Sequence, residues 1–307
     1  ATDPGAAQLD AAIVILDPQS GQISAMVGDG AQAEHPAGTL LTPFVYLAGF
    51  TRGLSPASML WDIPNPESAT AAAQSTYQGP VRLRTALAND YMAPAAQVIQ
   101  QVGALNVARI AGEMGILKDG LASLTTGEVF LSKGQTTLLD ASQAYGAFAN
   151  QGILVGRAGD SQPLAFLQLE DLDGQVLAQS AAAASKPVIS SQLAYLVTDI
   201  LSDEPARWQS LGHPNPLEIG RPAAVKQGKT GAGQDAWTVG YTPDRVVGVW
   251  VGSVVVFMSG GPSGGRGGGG GDFPGALRSA HGRVKRPGNV AAPAGRECDA
   301  GFSAQQA

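Results

Sequence analysis

Residues 37–50, AGTLLTPFVYLAGF, are apolar on nearly every side, and a helix of that pattern has to be buried all round. Any fold this chain adopts must be built around that segment. Gly38 supplies a turn ahead of it, Thr39 stands where a helix N-cap is expected, and Pro43 falls in or just past the first turn, where its missing N–H does little harm. A small hydroxyl residue there has free backbone N–H groups and the positive end of the helix dipole beside it, which suits a nucleophile or an oxyanion as well as ordinary capping.

The rest of the chain predicts what surrounds the helix. Two strand-like runs, 12–17 (AIVILD) and 22–27 (QISAMV), flank Pro18, Gln19, Ser20 and Gly21 and predict a hairpin. Pro64 and Pro66 exclude regular helix over 61–66. From Val81 the apolar spacing becomes three and four (Leu83, Leu87, then Val98, Val102, Val107, Ile110), which predicts amphipathic helices in a layer. Further helices are expected over 136–150, ending at Gly152, and over 190–201; residues 164–178, with Asp173 and Gly174 as the turn, predict a peripheral hairpin. Strand signals return at 223–225, 236–241 and 246–251, the last two joined by Thr242, Pro243 and Asp244. Strands at both ends with helices between them predict an α+β fold, an antiparallel sheet covered by helices, in which the first and last strands are neighbours. Residues 259–271 are glycine-rich and predict a linker, followed by an extended tail, so the expected organisation is a domain over 1–258 and a linker and tail over 259–307.

Composition removes several function classes. A formal charge of −6 with no basic run argues against nucleic acid or an anionic membrane surface as partner. No apolar run approaches the ~18 residues of a spanning helix, so any membrane association is expected to rest on segments outside this chain. Cys298 is the one cysteine, and His35, His213 and His281 have no ligand spacing, so neither a metal nor another cofactor is expected.

Several segments in order are similar to the transpeptidase domain of class A, bifunctional penicillin-binding proteins. Gly38, Pro43, Phe44 and Tyr46 fit the family's central helix start, a glycine followed by Ser-x-x-Lys, proline and a Phe-x-Tyr run. Residues 79–89 (GPVRLRTALAN) and Pro94, Ala95 resemble the surroundings of its Ser-x-Asn motif. Thr137, Leu138, Leu139, Asp140, Ala144, Tyr145, Phe148, Ala149 and Asn150 resemble a family helix, and 221–226 with 235–243 resemble the strands flanking Lys-Thr-Gly. The similarity spans about 9–252. It implies a β-lactamase/transpeptidase-like fold, a place in peptidoglycan synthesis, an extracytoplasmic location, and a peptidoglycan stem peptide or a wall-synthesis protein as partner.

The positions that would carry the chemistry depart from the family. Thr39 stands in the slot of the serine and Thr42 in that of the lysine; Asp90 and Met92 replace the serine and asparagine of Ser-x-Asn. A carboxylate and a thioether do not relay protons as a hydroxyl and an amide do. Counted without gaps, Lys226, Gln227 and Gly228 fill the Lys-Thr-Gly slot, with Lys229 next; a literal Lys229, Thr230, Gly231 lies three residues late, an odd shift that turns side chains to the other face of a strand. Lys226, Gln227, Gly228 and Lys229 are thus the candidate substrate-binding residues. Two functions of different class follow. One is a binding or scaffold module without catalysis. The other is an altered acyl-transferase with Thr39 as nucleophile, activated by Lys226 or Lys229 with Asp90 as base; it requires Thr39 Oγ within hydrogen-bond reach of a lysine nitrogen or of Asp90.

Overall fold

In the computed structural model the first apolar run forms strand β1, Leu9–Leu16, which turns back into β2, Ile23–Val27, as the predicted hairpin. The structure describes residues 9–64, 76–117, 134–230 and 234–253. The chain divides into two compact units, Ala1–Phe257 and Met258–Ala307, and every described residue belongs to the first. The expected linker and tail, with Cys298 and His281, lie outside the described residues.

Three strands from the far end of the sequence complete an antiparallel sheet: β3 (Ala224–Lys229), β4 (Asp235–Tyr241) and β5 (Val246–Ser253). Their order is β3-β4-β5-β1-β2, and β5 pairs with β1 from Leu9↔Ser253 to Leu16↔Val246. The first and last strands are neighbours, as their apolar patterns predict. Ala12, Val14 and Leu16 of β1 and Trp237, Val239, Val246 and Trp250 of the later strands point inward and are buried.

Helices cover that inner face. The central one, α1, runs Thr42–Phe50 and is buried at every position, as a helix apolar all round must be. Around it lie α2 (Leu83–Ala88), α3 (Met92–Val102), α4 (Ala104–Glu113), α5 (Leu138–Ala149), α6 (Ser191–Leu201) and α7 (Glu204–Leu211). Packing of α5 against the sheet is close: a Cβ on Gly248 would stand 2.2 Å from Ser142 Oγ. Phe44, Tyr145 and Phe148 form an aromatic triangle with ring centroids 5.4–5.8 Å apart, tying α1 to α5.

The structure corrects several local expectations. Thr39 is not an N-cap. Gly38, at φ +54°, opens a 3₁₀ turn over Gly38–Leu41 whose own cap is Ala37, so Thr39 lies inside the turn and its hydroxyl serves a different partner. The helix predicted over 136–150 begins at Leu138, because Thr137 caps it by accepting from Asp140 N at 3.0 Å, while Thr136 pairs with His35 in a short bridge. Val81 is a strand residue: Gly79–Arg82 pairs with Met59–Asp62 before α2 starts. The sequence pattern does not reveal a helix and a strand pair. Helix α7 is short and has a low apolar content, and Ile153–Arg157 pairs with Ala183–Pro187, whose five side chains are all exposed and so lack an alternating pattern. The peripheral hairpin, Gln168–Glu170 with Val176–Gln179, is where it was expected.

Candidate functional site

Three elements meet at one point: the 3₁₀ turn at the entry to α1, the last residues of β3, and the turn between α2 and α3. Two glycines allow the first two to interlock. A Cβ on Gly38 would stand 2.2 Å from the Lys229 carbonyl oxygen, and one on Gly228 would stand 2.7 Å from Leu40 Cβ and 2.9 Å from Leu40 N. Neither position admits a larger residue without moving backbone. Tyr145 on α5 adds a brace, its hydroxyl donating to the Leu40 carbonyl at 2.8 Å.

The third element carries Asp90, which adopts a left-handed conformation (φ +62°) that aspartate tolerates better than most side chains. Its neighbour Asn89 anchors the turn. The Asn89 amide donates to the carbonyls of Thr85 (2.9 Å) and Ala206 (2.7 Å), and its Oδ1 accepts from Ser210 N at 3.0 Å. The Asp90 carboxylate is thereby aimed at the other two elements.

The polar groups then form a closed network. Thr39 Oγ1 donates to Asp90 Oδ2 at 2.6 Å and accepts from the backbone N–H of Lys229 at 3.1 Å. Lys226 Nζ donates to Asp90 Oδ1 at 2.7 Å and to the carbonyl of Gln227. Thr42 Oγ1 donates to the Thr39 carbonyl at 2.9 Å and lies 3.4 Å from Asp90 Oδ1. Thr39 is only 4% exposed and so is Lys226, whereas the Asp90 side chain keeps 18% of its surface in solvent. Burial pushes the Lys226 amine below its ordinary value; the Asp90 carboxylate works against that shift, and the Lys229 charge adds to it. Tyr46, on α1, is fully buried, and its hydroxyl has no hydrogen-bond partner among the described residues. Its phenol is held well above the ordinary value, first by burial and then by the charges of Asp90 and Asp62.

Of the residues singled out in the sequence, Thr39, Thr42, Asp90 and Lys226 come together, with Gly228 as the close-approach point. Gln227 and Lys229 direct their side chains to the opposite, exposed face of β3, so each contributes to the network through backbone alone. Met92 opens α3 half-buried against the hydrophobic core and takes no part in the hydrogen-bond network. Thr230 accepts from Asp235 N at 3.2 Å in the turn after β3, and Gly231 lies outside the described residues. Sequence reasoning missed Asn89, Tyr145 and the Lys229 N–H. Only Gly38 and Gly228 carried a signal of the close approach that makes the last of these possible.

A second cluster backs the turn between β3 and β4. His35 stacks on Trp250 with centroids 3.7 Å apart and stands edge-on to Trp237. Asp235 Oδ1 accepts from Trp250 Nε1 at 3.1 Å and lies 3.9 Å from His35 Nδ1. Burial pushes the His35 imidazole below 6.5, with Asp235 opposing. Its neighbours make it a packing residue. His213 is exposed, its ring tilted against that of Trp208 and its Nδ1 3.0 Å from Glu218 Oε2.

An antiparallel five-stranded sheet with a buried helix entering behind it, and a hydroxyl held between that helix and an edge strand, is the fold of penicillin-binding-protein transpeptidase domains. Among solved structures, PonA1 of Mycobacterium tuberculosis superposes with a TM-score of 0.67 at 25% identity, covering 82% of this chain and 70% of that one. Penicillin-binding protein 1A of Haemophilus influenzae gives a TM-score of 0.66 at 22% identity over 80% of this chain and 43% of its own. Relatives by sequence include proteins named penicillin-binding protein 1A. That of Vibrio cholerae is 26% identical over 78% of this chain, and that of Neisseria meningitidis 27% identical over 80%. The chain spans about a third of the length of these relatives (34% and 32%). No family model matches it.

Proposed function

We propose that this chain is a transpeptidase-type domain that has given up acyl transfer and acts as a binding or scaffold module in peptidoglycan synthesis, on the outer side of the membrane. One observation carries this: the only hydroxyl in the nucleophile slot is committed on both sides, to Asp90 and to the Lys229 N–H, and is 4% exposed. An attacking oxygen needs a base with capacity to take its proton and an open approach for the carbonyl. Here the acceptor carboxylate is already occupied by the Lys226 ammonium, and Thr42 removes the amine one helical turn on. The N–H that the edge strand would aim at an oxyanion is spent on the hydroxyl itself.

The alternative, an altered acyl-transferase using Thr39 with Asp90 as base, draws support from the 2.6 Å bond between them. Against it stands the placement of Lys226, which lies on the far oxygen of the carboxylate rather than on Thr39. Losing general-base catalysis typically lowers rates by about 10²- to 10⁴-fold, and nucleophile, base and relay are all altered here.

The test is incubation of the 307-residue chain with a fluorescent penicillin, followed by gel fluorescence and intact-mass spectrometry. The expected result is no adduct under conditions that label a class A enzyme stoichiometrically. A single acyl group mapped to Thr39 overturns the proposal and establishes the alternative.

A further inference from the structure

The donors of the Thr39–Asp90–Lys226 network and its acceptor come from different parts of the fold. Lys226 Nζ reaches Asp90 Oδ1 at 2.7 Å and Thr39 Oγ1 reaches Oδ2 at 2.6 Å, one donor on each oxygen of the carboxylate. The Thr39 hydroxyl accepts from the Lys229 N–H at 3.1 Å, which leaves its own proton to point at the carboxylate. Both donors are held without help from Asp90. Lys226 lies within β3, opposite Val239 of β4, and its ammonium also meets the Gln227 carbonyl. Thr39 is fixed by the interlock of Gly38 with the Lys229 carbonyl and of Gly228 with Leu40. The acceptor arrives on a separate turn, between α2 and α3, which Asn89 ties to α7. It enters from the solvent side: the Asp90 side chain is 18% exposed, against 4% for Lys226.

We infer that Lys226 and Thr39 form a carboxylate-binding site that the chain fills with its own Asp90, so that an internal ligand closes the cleft. Carboxylate is the class these donors select. A cation and a hydroxyl converge on the two oxygens of one planar group, and a buried ammonium requires an anionic partner. A spherical ion offers no second oxygen at that spacing. The Lys229 ammonium does not compete, because its side chain lies on the exposed face of β3. An external carboxylate therefore reaches these donors only in place of Asp90. The inference rests on the reading of this chain as a binding module and names the ligand class of its site.

The experiment removes the internal ligand and offers acetate, whose heavy atoms match those that Asp90→Gly deletes. Glycine keeps the φ of +62° accessible. Thermal unfolding of the full 307-residue chain is followed by far-UV circular dichroism at neutral pH, in acetate or in chloride at equal ionic strength. The chains compared are the parent, Asp90→Gly, Asp90→Asn, and Asp90→Gly combined with Lys226→Met. The inference expects Asp90→Gly to gain at least about 2 °C in Tm at ~200 mM acetate, saturating with an apparent Kd of roughly 1–50 mM. If that variant is unfolded in chloride, acetate is expected to restore its circular dichroism. The parent, Asp90→Asn, whose amide still fills the space, and the double variant are expected not to respond. An Asp90→Gly chain indifferent to acetate, folded or unfolded, overturns the inference. So does an equal response in any of the other three, which places the acetate elsewhere. Penicillin acylation reports on Thr39 in the parent, whereas acetate rescue reports on Lys226 once the carboxylate is gone, so the two readings fail separately.

Discussion

If the Thr39–Asp90–Lys226 network is structural, removing the carboxylate must destabilise the fold and removing both charges must not. The perturbation is Asp90→Asn, which keeps the preference for the left-handed conformation at φ +62° and deletes the charge. Lys226, 4% exposed with its one carboxylate partner lost, becomes a buried ammonium held by a carbonyl alone. Breaking a fully buried pair from one side costs about 3–5 kcal/mol. Discounting for the 18% exposure of Asp90 and for the amide oxygen that still accepts, the expected loss is about 2–4 kcal/mol. Lys226→Met leaves Asp90 partly solvated and still bonded to Thr39, so it is expected to cost less, about 1–2 kcal/mol. The double variant replaces the pair by a neutral amide and an apolar chain of similar length and is expected within about 1 kcal/mol of the parent. The two single losses sum to about 3–6 kcal/mol against at most about 1 kcal/mol for the double, so the cycle gives a coupling energy of roughly 2–7 kcal/mol. Urea unfolding read both by far-UV circular dichroism and by the fluorescence of the buried Trp237 and Trp250 measures it. A coupling below about 0.5 kcal/mol, or an Asp90→Asn variant more stable than the parent, refutes the structural role. Groups kept for catalysis usually sit at a cost to stability, so the sign of the effect separates the two functions.

Three further outcomes are expected. Restoring the four slots together, Thr39→Ser, Thr42→Lys, Asp90→Ser and Met92→Asn, is expected to produce labelling by fluorescent penicillin where each single change does not; absence of labelling in a folded quadruple variant removes the idea that only these residues separate the chain from activity. Gly38→Ala places a Cβ 2.2 Å from the Lys229 oxygen at φ +54° and is expected to cost at least about 2 kcal/mol; a loss under 0.5 kcal/mol in urea shows that the turn can relax. His35, pushed below 6.5 by burial, is protonated more readily in the unfolded chain, so its contribution is present above pH 6.5 and lost as pH falls from there towards the folded value. His35→Phe is expected to flatten the fall of Tm over that interval, and an unchanged slope assigns the acid sensitivity elsewhere.

The sheet was legible because β1, β2 and β5 are apolar at nearly successive positions and turns of recognisable chemistry join the strands, so the hairpin at 18–21 follows from pattern and the meeting of β1 with β5 from strands standing at both ends of one α+β domain. The central helix was legible for the same reason. What pattern does not reach is geometry decided by side chains that meet across the fold. Thr39 reads as a cap from its neighbours, yet the 3₁₀ turn opened by Gly38 carries it to Asp90, 51 positions away. Gln227 reads as a candidate for substrate binding from its slot, yet strand parity sends its side chain to the outer face while Lys226 goes in. Helix α7 has too few apolar positions to register, although its Ala206 carbonyl and Ser210 N–H are what hold Asn89 and hence aim Asp90.

The substitutions at the site compensate one another electrostatically. In the pattern this chain resembles, a lysine one turn along the helix and a lysine on the edge strand share a cleft with two hydroxyls and an amide. Replacing the first lysine by Thr42 removes a cation but leaves Lys226 buried, with no carboxylate beside it unless one is supplied. A lone ammonium at 4% exposure is not sustained without a counter-charge or loss of its proton. Asp90 in the hydroxyl slot supplies the counter-charge at 2.7 Å, and its second oxygen then draws the proton of Thr39 at 2.6 Å. With that pair formed, the Thr39 hydroxyl is held between the Asp90 carboxylate and the backbone N–H of Lys229. Reverting position 42 alone adds a second ammonium beside the Asp90–Lys226 pair, reverting position 90 alone removes that pair's carboxylate, and neither fills the serine, lysine and asparagine slots together, so only the combined reversion is expected to restore chemistry.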